Sequence, residues 1–327
     1  MKESAQVWFL DVVHEALWKA LDAAGMKCHD GTGVSREAIV AGDLGPVHGL
    51  VLRSRIRLDA EVLHALPDLQ WIARSGSGLE NIDLATAAEL DIAVHSSPEG
   101  NRDAVGEHCI GMLLGTLHKL PSGNASIRQR QWLREAHRGR ELKSMTVGIV
   151  GYGHMGSAFA ERLAGFGCRV MAYDKYKEGW GELPTTQRPL PYVKPVGWDT
   201  FCQSVDVVSL HLPWTVETKG MVDDVWLAQF DKPILLLNTS RGPIVQTKAL
   251  LSALDDGRVT EACLDVLEFE GRSLEALDGL ADEEMRAAFE QLLAHPSVLL
   301  SPHVAGWTLE SYVKLSTVLA DKILGQL

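Results

Sequence analysis

The chain has 327 residues, 46% of them hydrophobic and 23% charged, an ordinary globular composition and a length that predicts two domains, each with its own core. Its net charge of −12 argues against nucleic acid or an anionic membrane as a partner, and no apolar stretch approaches the length of a bilayer span. The five cysteines (Cys28, Cys109, Cys168, Cys202 and Cys263) are scattered and form no CxxC pair. They argue against a disulfide framework or a metal site and for reduced thiols in the cytoplasm, and the polar N-terminus carries no secretion signal.

Short apolar runs alternate with helical patterns through the first hundred residues. Val7 to Leu10, Gly49 to Leu52, Leu69 to Ala73 and Ile92 to Val94 read as strands. Val12 to Ala24, Asp59 to Leu66 (with Asp59 as N-cap) and Leu84 to Leu90 read as helices. This alternation predicts α/β architecture with doubly wound parallel sheets. Two loops follow strand ends, where such sheets hold ligands: Arg53-Ser54-Arg55 and Arg74 to Asp83. In the second, Gly76-Ser77-Gly78 reads either as a backbone anion nest or as a plain strand-to-helix turn. A long helix from Asn101 to Lys119 then leads into a polar, basic arm, Gln129 to Lys143, which reads either as a solvated surface loop or, from its length and Trp132, as a segment packed on something such as a second subunit.

The middle of the chain carries the most informative stretch. Met145 to Val150 reads as a buried strand, followed by Gly151-Tyr152-Gly153-His154-Met155-Gly156 and a helix from Ser157 to Gly165. A second strand, Cys168 to Tyr173, ends at Asp174. Glycines often punctuate loops, but strand, glycine turn, helix, strand and acid in this register suit a dinucleotide. Gly151 permits the turn, Gly153 lets the backbone approach a pyrophosphate, and Gly156 lets the helix pack on the strand. The helix N-terminus supplies N–H groups and positive potential. Asp174 suits the adenosine ribose hydroxyls and disfavours a 2′-phosphate, so NAD is expected over NADP, with Lys175 and Lys177 blurring the preference. Trp180 to Trp198 reads as a surface excursion. Further strands end in polar clusters: Val205 to Leu210 before His211-Leu212-Pro213, Pro233 to Leu237 before Asn238 to Gly242, Glu261 to Cys263 before Asp265, and Val298 to Leu300 before His303. Trp307 to Leu327 reads as a final amphipathic helix.

Arg241, Glu270 and His303 are the candidates for chemistry. A lone arginine after a strand is commonly a surface ion pair, and a lone histidine there is commonly structural. Here both follow strands on the ligand edge of a nucleotide-binding sheet. A nicotinamide enzyme acting on an alcohol or ketone needs a proton donor and acceptor at the oxygen, which suits His303, and a cation for an anionic substrate, which suits Arg241. Glu270, in contact with the imidazole, would hold its tautomer and favour its charged form.

These residues carry a resemblance. Ala73 to Asp83, Asn101 to His108, Val147 to Gly156, Ser209 to Pro213, Asn238 to Gly242, Cys263 to Glu270 and Ser301 to Thr308 resemble the D-isomer-specific 2-hydroxyacid dehydrogenases over essentially the whole chain. The resemblance implies a Rossmann NAD-binding domain, 104–303, inserted into a discontinuous flavodoxin-like substrate domain, 1–103 plus 304–327, with a homodimer arm at 120–145. It implies that Arg241 binds the substrate carboxylate and keto oxygen, that His303 is the acid/base and that Glu270 is its partner. Asp265 and the Ser240 backbone would hold the nicotinamide carboxamide, and the His154 and Met155 amides the pyrophosphate. His211, Leu212, Pro213, Thr218, Thr239 and Gly306 complete the expected NAD site. The amides of Ser77 and Gly78, with Arg53, Ser54, Arg74 and Asn101, form the expected substrate set.

Within the family the chain is most similar to short D-3-phosphoglycerate dehydrogenases, and the basic set Arg53, Arg55 and Arg74 in an acidic chain suits a phosphate. Ordinary surface ion pairing is the competing reading of those arginines. A dehydrogenase for an unphosphorylated acid (glyoxylate, hydroxypyruvate or D-lactate), an NAD(H)-sensing corepressor, and an enzyme using formate or phosphite remain as alternatives. Three departures from the family pattern stand out: Gly271 where proline is usual, an acidic helical insertion from Leu274 to Leu293, and Trp307 in place of a small residue.

Overall fold

The computed structural model describes residues 4–177, 180, 189–270 and 283–325. They fall into two compact units. One comprises the described residues of Met1–Arg102 and Trp307–Leu327, and the other those of Asp103–Gly271 and Ala276–Gly306. Gly271 and residues 274–282 of the expected insertion lie outside the described residues; its remainder is helical.

The first unit is a five-stranded parallel sheet of β1 (Gln6–Phe9), β2 (Lys27–Asp30), β3 (Gly49–Leu52), β4 (Trp71–Arg74) and β5 (Ala93–Ser96). Its order, β2-β1-β3-β4-β5, is the flavodoxin-like one. The direction of winding reverses between β1 and β3, so the loops after these two strands flank the ligand crevice of this unit. Apolar clusters cover both faces. Leu50, Leu52 and Ile72 point to one, and Val7, Phe9, Val51 and Ala73 to the other, where α1 (Glu15–Ala23) and α12 (Leu309–Ile323) pack. Asp59 caps α3 (Ala60–His64) by accepting from the Val62 amide at 3.2 Å, as the sequence predicts. A Thr308/Ser311 capping box starts α12.

The second unit has seven parallel strands: β6 (Thr146–Val150), β7 (Arg169–Tyr173), β8 (Val193–Pro195), β9 (Val207–Leu210), β10 (Ile234–Asn238), β11 (Val259–Leu264) and β12 (Val298–Leu300). The order β12-β11-β10-β9-β6-β7-β8 reverses between β6 and β9, as in a Rossmann sheet. Alternate residues feed opposite faces: Val147, Ile149, Leu235 and Leu237 enter one cluster with Phe159, and Val150, Val208 and Leu236 the other with Phe201. All pairings are parallel, so the strand ends carrying Gly151, Asp174, His211, Ser240, Asp265 and His303 share one edge.

One strand is not predicted from the sequence, and two expectations need correction. β2, Lys-Cys-His-Asp, lacks the apolar run that marks the interior strands, because it lies at an edge with one face partly in solvent. β8 lies within the stretch read as a surface excursion; it too is an edge strand, where Pro195 is tolerated because its side of the ladder needs no further donor. The helix after the glycine loop, α7 (His154–Leu163), begins three residues before the expected Ser157, so Gly156 lies inside its first turn.

Candidate active site

The glycine loop is built by close backbone contacts. Gly151 has φ +89°, a conformation that favours glycine, and a Cβ there would lie 2.4 Å from the His211 carbonyl oxygen and 3.0 Å from Leu212. A Cβ on Gly156 would lie 2.1 Å from the Gly151 carbonyl oxygen. At Gly153, among the described residues beyond its chain neighbours, no atom lies within 4 Å of that position. Gly153 is also the N-cap of α7 and makes no side-chain cap hydrogen bond, so the first-turn amides at His154, Met155 and Gly156 point out of the helix end. This cradle fits a dinucleotide pyrophosphate: open on its outer side, lined by amides and at the positive end of a ten-residue helix. Asp174, at the end of β7, accepts from the Tyr152 amide (2.9 Å) and the Tyr176 amide (3.1 Å), so it also fixes the loop.

The loop after β9 is held from within. Thr218 donates to the Pro213 carbonyl (2.6 Å) and accepts from the Thr215 amide (2.9 Å), closing residues 213–218 into a turn. The His211 ring lies 2.8 Å from the Ser209 hydroxyl and against Phe159, and its burial pushes its pKa down to about 3. In the unfolded chain such a ring titrates near ~6.5. Between these values the unfolded state holds the extra proton, so acid removes stability. We expect urea unfolding to show wild-type stability falling as pH drops below about 6.5, by up to ~1.4 kcal/mol per pH unit from this ring. His211→Gln should flatten that slope; an unchanged slope would exclude the ring as its source.

The turn after β10 is organised by Asn238, a residue the sequence reading did not single out. Its fully buried side chain accepts from the Ser240 amide (3.0 Å) and hydroxyl (2.7 Å) and donates to the Arg241 carbonyl (3.0 Å). Arg241 donates to the Ser240 carbonyl (2.6 Å). The Thr239 hydroxyl turns inward to Cys109 (3.2 Å).

His303 lies in the left-handed region at φ +54°, unusual for a non-glycine residue. Asp265 holds it there. The Asp265 backbone carbonyl accepts from the His303 amide (2.7 Å). Its carboxylate accepts from the amides of Val304 (3.0 Å) and Ala305 (2.8 Å) and from the Ser301 hydroxyl (2.5 Å), with His108 Nε2 at 3.4 Å. Burial alone would raise the Asp265 pKa, but His108, Ser301 and the two amides together outweigh it and hold the carboxyl below its ordinary value. Asp265 therefore shapes the 301–305 loop, and Gly306 follows directly. His108 and Ser301 are further supporting residues that the spacing of motifs did not reveal. His303 Nδ1 lies 2.6 Å from Glu270 Oε2, and the other Glu270 oxygen accepts from the Leu267 amide. With Nδ1–H donating to the Glu270 carboxylate, Nε2 is the ring nitrogen left with a lone pair to accept a proton.

In the first unit, Gly76 has φ +146° and its amide donates to the Ser97 hydroxyl (3.3 Å). Arg74 lies against it: a Cβ on Gly76 would fall 1.5 Å from Arg74 Nη1. The Ser77 hydroxyl donates to Asn101 (2.8 Å), and Gly78 follows, buried in the backbone of the loop. Arg53 and Ser54 follow β3. The Arg53 amide donates to Asp11 (2.6 Å) across the switch point, and its guanidinium lies 4.4 Å from the centre of the Trp307 ring. Arg55 is different. It donates to the carbonyls of Leu10, Gly31 and Val34 and pairs with Asp11 at 3.3 Å, so its fork is filled by the protein. It leaves the basic set suggested for a phosphate.

A Rossmann sheet with this glycine turn, beside a histidine–carboxylate pair and an arginine on the same edge, defines a dinucleotide-binding domain equipped for proton transfer. Residues 110–305 match the model of the D-isomer specific 2-hydroxyacid dehydrogenase, NAD binding domain. The chain belongs to that family. It is 31% identical over 302 residues to D-3-phosphoglycerate dehydrogenase of Archaeoglobus fulgidus, covering 92% of this chain and 53% of that one. It is 31% identical over 278 residues to hydroxypyruvate reductase of Thermotoga maritima, covering 85% and 84% respectively. The chain thus spans about half the length of the phosphoglycerate dehydrogenases it matches. In fold it resembles a glyoxylate reductase structure from Paecilomyes thermophila, with a TM-score of 0.84 at 24% identity over 99% of this chain and 95% of that one. Among the described residues no helix is long and apolar enough to cross a membrane.

Proposed function

We propose that the chain is an NAD-dependent D-2-hydroxyacid dehydrogenase whose first substrate is D-3-phosphoglycerate. The observation that carries the reading is the 2.6 Å contact between His303 and Glu270 on the sheet edge that also bears the glycine loop and Arg241. Bound NAD supplies the acceptor for the C2 hydride. Arg241 pairs with the substrate carboxylate. His303 Nε2 takes the hydroxyl proton as the C2 hydride leaves, and Glu270 stabilises the imidazolium that forms. In the reverse direction the charged ring returns the proton to the keto oxygen.

Relatives named D-3-phosphoglycerate dehydrogenase and the position of Arg53 support a phosphorylated substrate. A second reading, an unphosphorylated acid such as hydroxypyruvate, is favoured by the filled fork of Arg55 and by the hydroxypyruvate reductase matched over 84% of its length. Steady-state NADH formation with D-3-phosphoglycerate, D-glycerate, D-lactate and D-2-hydroxyglutarate separates them. Arg53→Met should raise KM for the phosphorylated acid by at least ~10-fold, the loss of one charged hydrogen bond, and leave D-lactate nearly unchanged. A wild-type preference for D-glycerate would move the assignment to the second reading.

We further propose a homodimer formed through the arm. Leu120, Ile127, Trp132 and Leu133 are 61%, 51%, 77% and 48% exposed there, an apolar set that a second copy of the arm would cover. Scattered free cysteines, three of them buried, support a reducing cytoplasmic setting.

A further inference from the structure

The two loops that flank the glycine turn are tied together above it. In the sheet, β6 lies between β7 and β9, so the loops after β7 and β9 are two strand spacings apart, roughly 10 Å. Side chains bridge that gap. Glu217, from the turn closed by Thr218, accepts from the Tyr176 hydroxyl and forms an ion pair with Lys175. Lys177, two residues on, donates to the Tyr152 carbonyl (2.6 Å) and lies 5.6 Å from the centre of the Tyr152 ring. Both lysines that follow Asp174 are therefore committed, one to a carboxylate and one to the glycine loop itself. The bridging residues are open to solvent, Glu217 at 45% and Lys175 at 61% side-chain exposure, so they frame the approach to Asp174 and are not part of the core.

We propose that Glu217 is a coenzyme-selectivity residue, acting by neutralising Lys175 and tethering it away from the ribose end of the site. The proposal rests on the dinucleotide reading of the glycine loop. A coenzyme with a free 2′-hydroxyl meets Asp174 as a hydrogen-bond acceptor. One with a 2′-phosphate meets that carboxylate with the neighbouring Lys175 already paired, and like charges repel. Lys175 alone does not blur the preference for NAD, as its sequence position suggests, because Glu217 holds its charge. Released, it is a flexible point charge of the kind that binds phosphate.

Direct binding of NADH and NADPH, followed by energy transfer from protein tryptophan to the reduced nicotinamide, tests this without turnover. Glu217→Gln should raise NADPH affinity at least ~10-fold relative to NADH, with the gain shrinking as salt is added. Adding Lys175→Met to Glu217→Gln should cancel the gain. An NADPH/NADH ratio unchanged by Glu217→Gln, or a gain that survives loss of Lys175, would overturn the proposal. A wild-type chain that binds neither coenzyme would overturn the dinucleotide reading and this inference with it.

Discussion

His303→Ala should lower turnover by ~10²- to 10⁴-fold, the usual contribution of a positioned acid/base, while NADH affinity stays within about twofold of wild type. The two effects separate because the ring touches Glu270 and the coenzyme cradle is built elsewhere, from Gly151, Gly153 and the end of α7. The loop should survive the substitution: the Asp265 carboxylate bonds to the backbone of Val304 and Ala305 and to Ser301, and none of these contacts needs the imidazole. Glu270→Gln should cost less, since it retains a group able to meet Nδ1 but loses the charge that stabilises the imidazolium. Single-turnover kinetics with either reduced coenzyme and a keto acid measure the loss. A fall of less than ~10-fold for His303→Ala would remove the ring from proton transfer.

Gly156→Ala should damage both folding and coenzyme binding. The added methyl would lie 2.1 Å from the Gly151 carbonyl oxygen and 3.0 Å from Ile149 Cγ2, and the first of these is backbone that cannot rotate away. Either α7 lifts from the sheet or the turn opens, a strain of ~1–3 kcal/mol by the usual cost of overpacking. Thermal unfolding should fall by several degrees and NADH affinity by at least ~10-fold. Gly153→Ala is the informative companion. Among the described residues its methyl meets no atom within 4 Å beyond its chain neighbours, so stability should hold, but it would project from the face where a pyrophosphate approaches the helix end. Loss of NADH binding at unchanged Tm is the expected result for Gly153→Ala. Full NADH affinity in both variants would contradict the cradle.

Much of the fold was legible because its interior strands are buried on both faces and read as unbroken apolar runs: Gly49–Leu52, Thr146–Val150, Val207–Leu210 and Ile234–Asn238. The same logic hid β2 and β8, edge strands with polar or proline-bearing sequences. The glycine loop, Asp174 and His303 were findable because each follows a strand on the ligand edge. What sequence spacing does not carry is how a side chain is satisfied. Arg55 looked like a third cation for a phosphate, yet carbonyls at Leu10, Gly31 and Val34, distant in sequence, fill its fork. Asn238, His108 and Ser301 carry no role in the sequence pattern for the same reason, since their work is to hold neighbouring turns. Asn238 offered one local signal, an Asx residue at a strand end two positions before Ser240.

The proposed reaction moves a hydride from C2 of a D-2-hydroxy acid to NAD while His303 takes the proton. It is tested most directly by supplying the D-acid deuterated at C2 and analysing the reduced coenzyme by mass spectrometry. One deuterium in the NADH formed, none washed into solvent, and no reduction of NAD with the L-isomer are the expected results. Unlabelled NADH, or equal reduction by the L-isomer, would contradict that reaction.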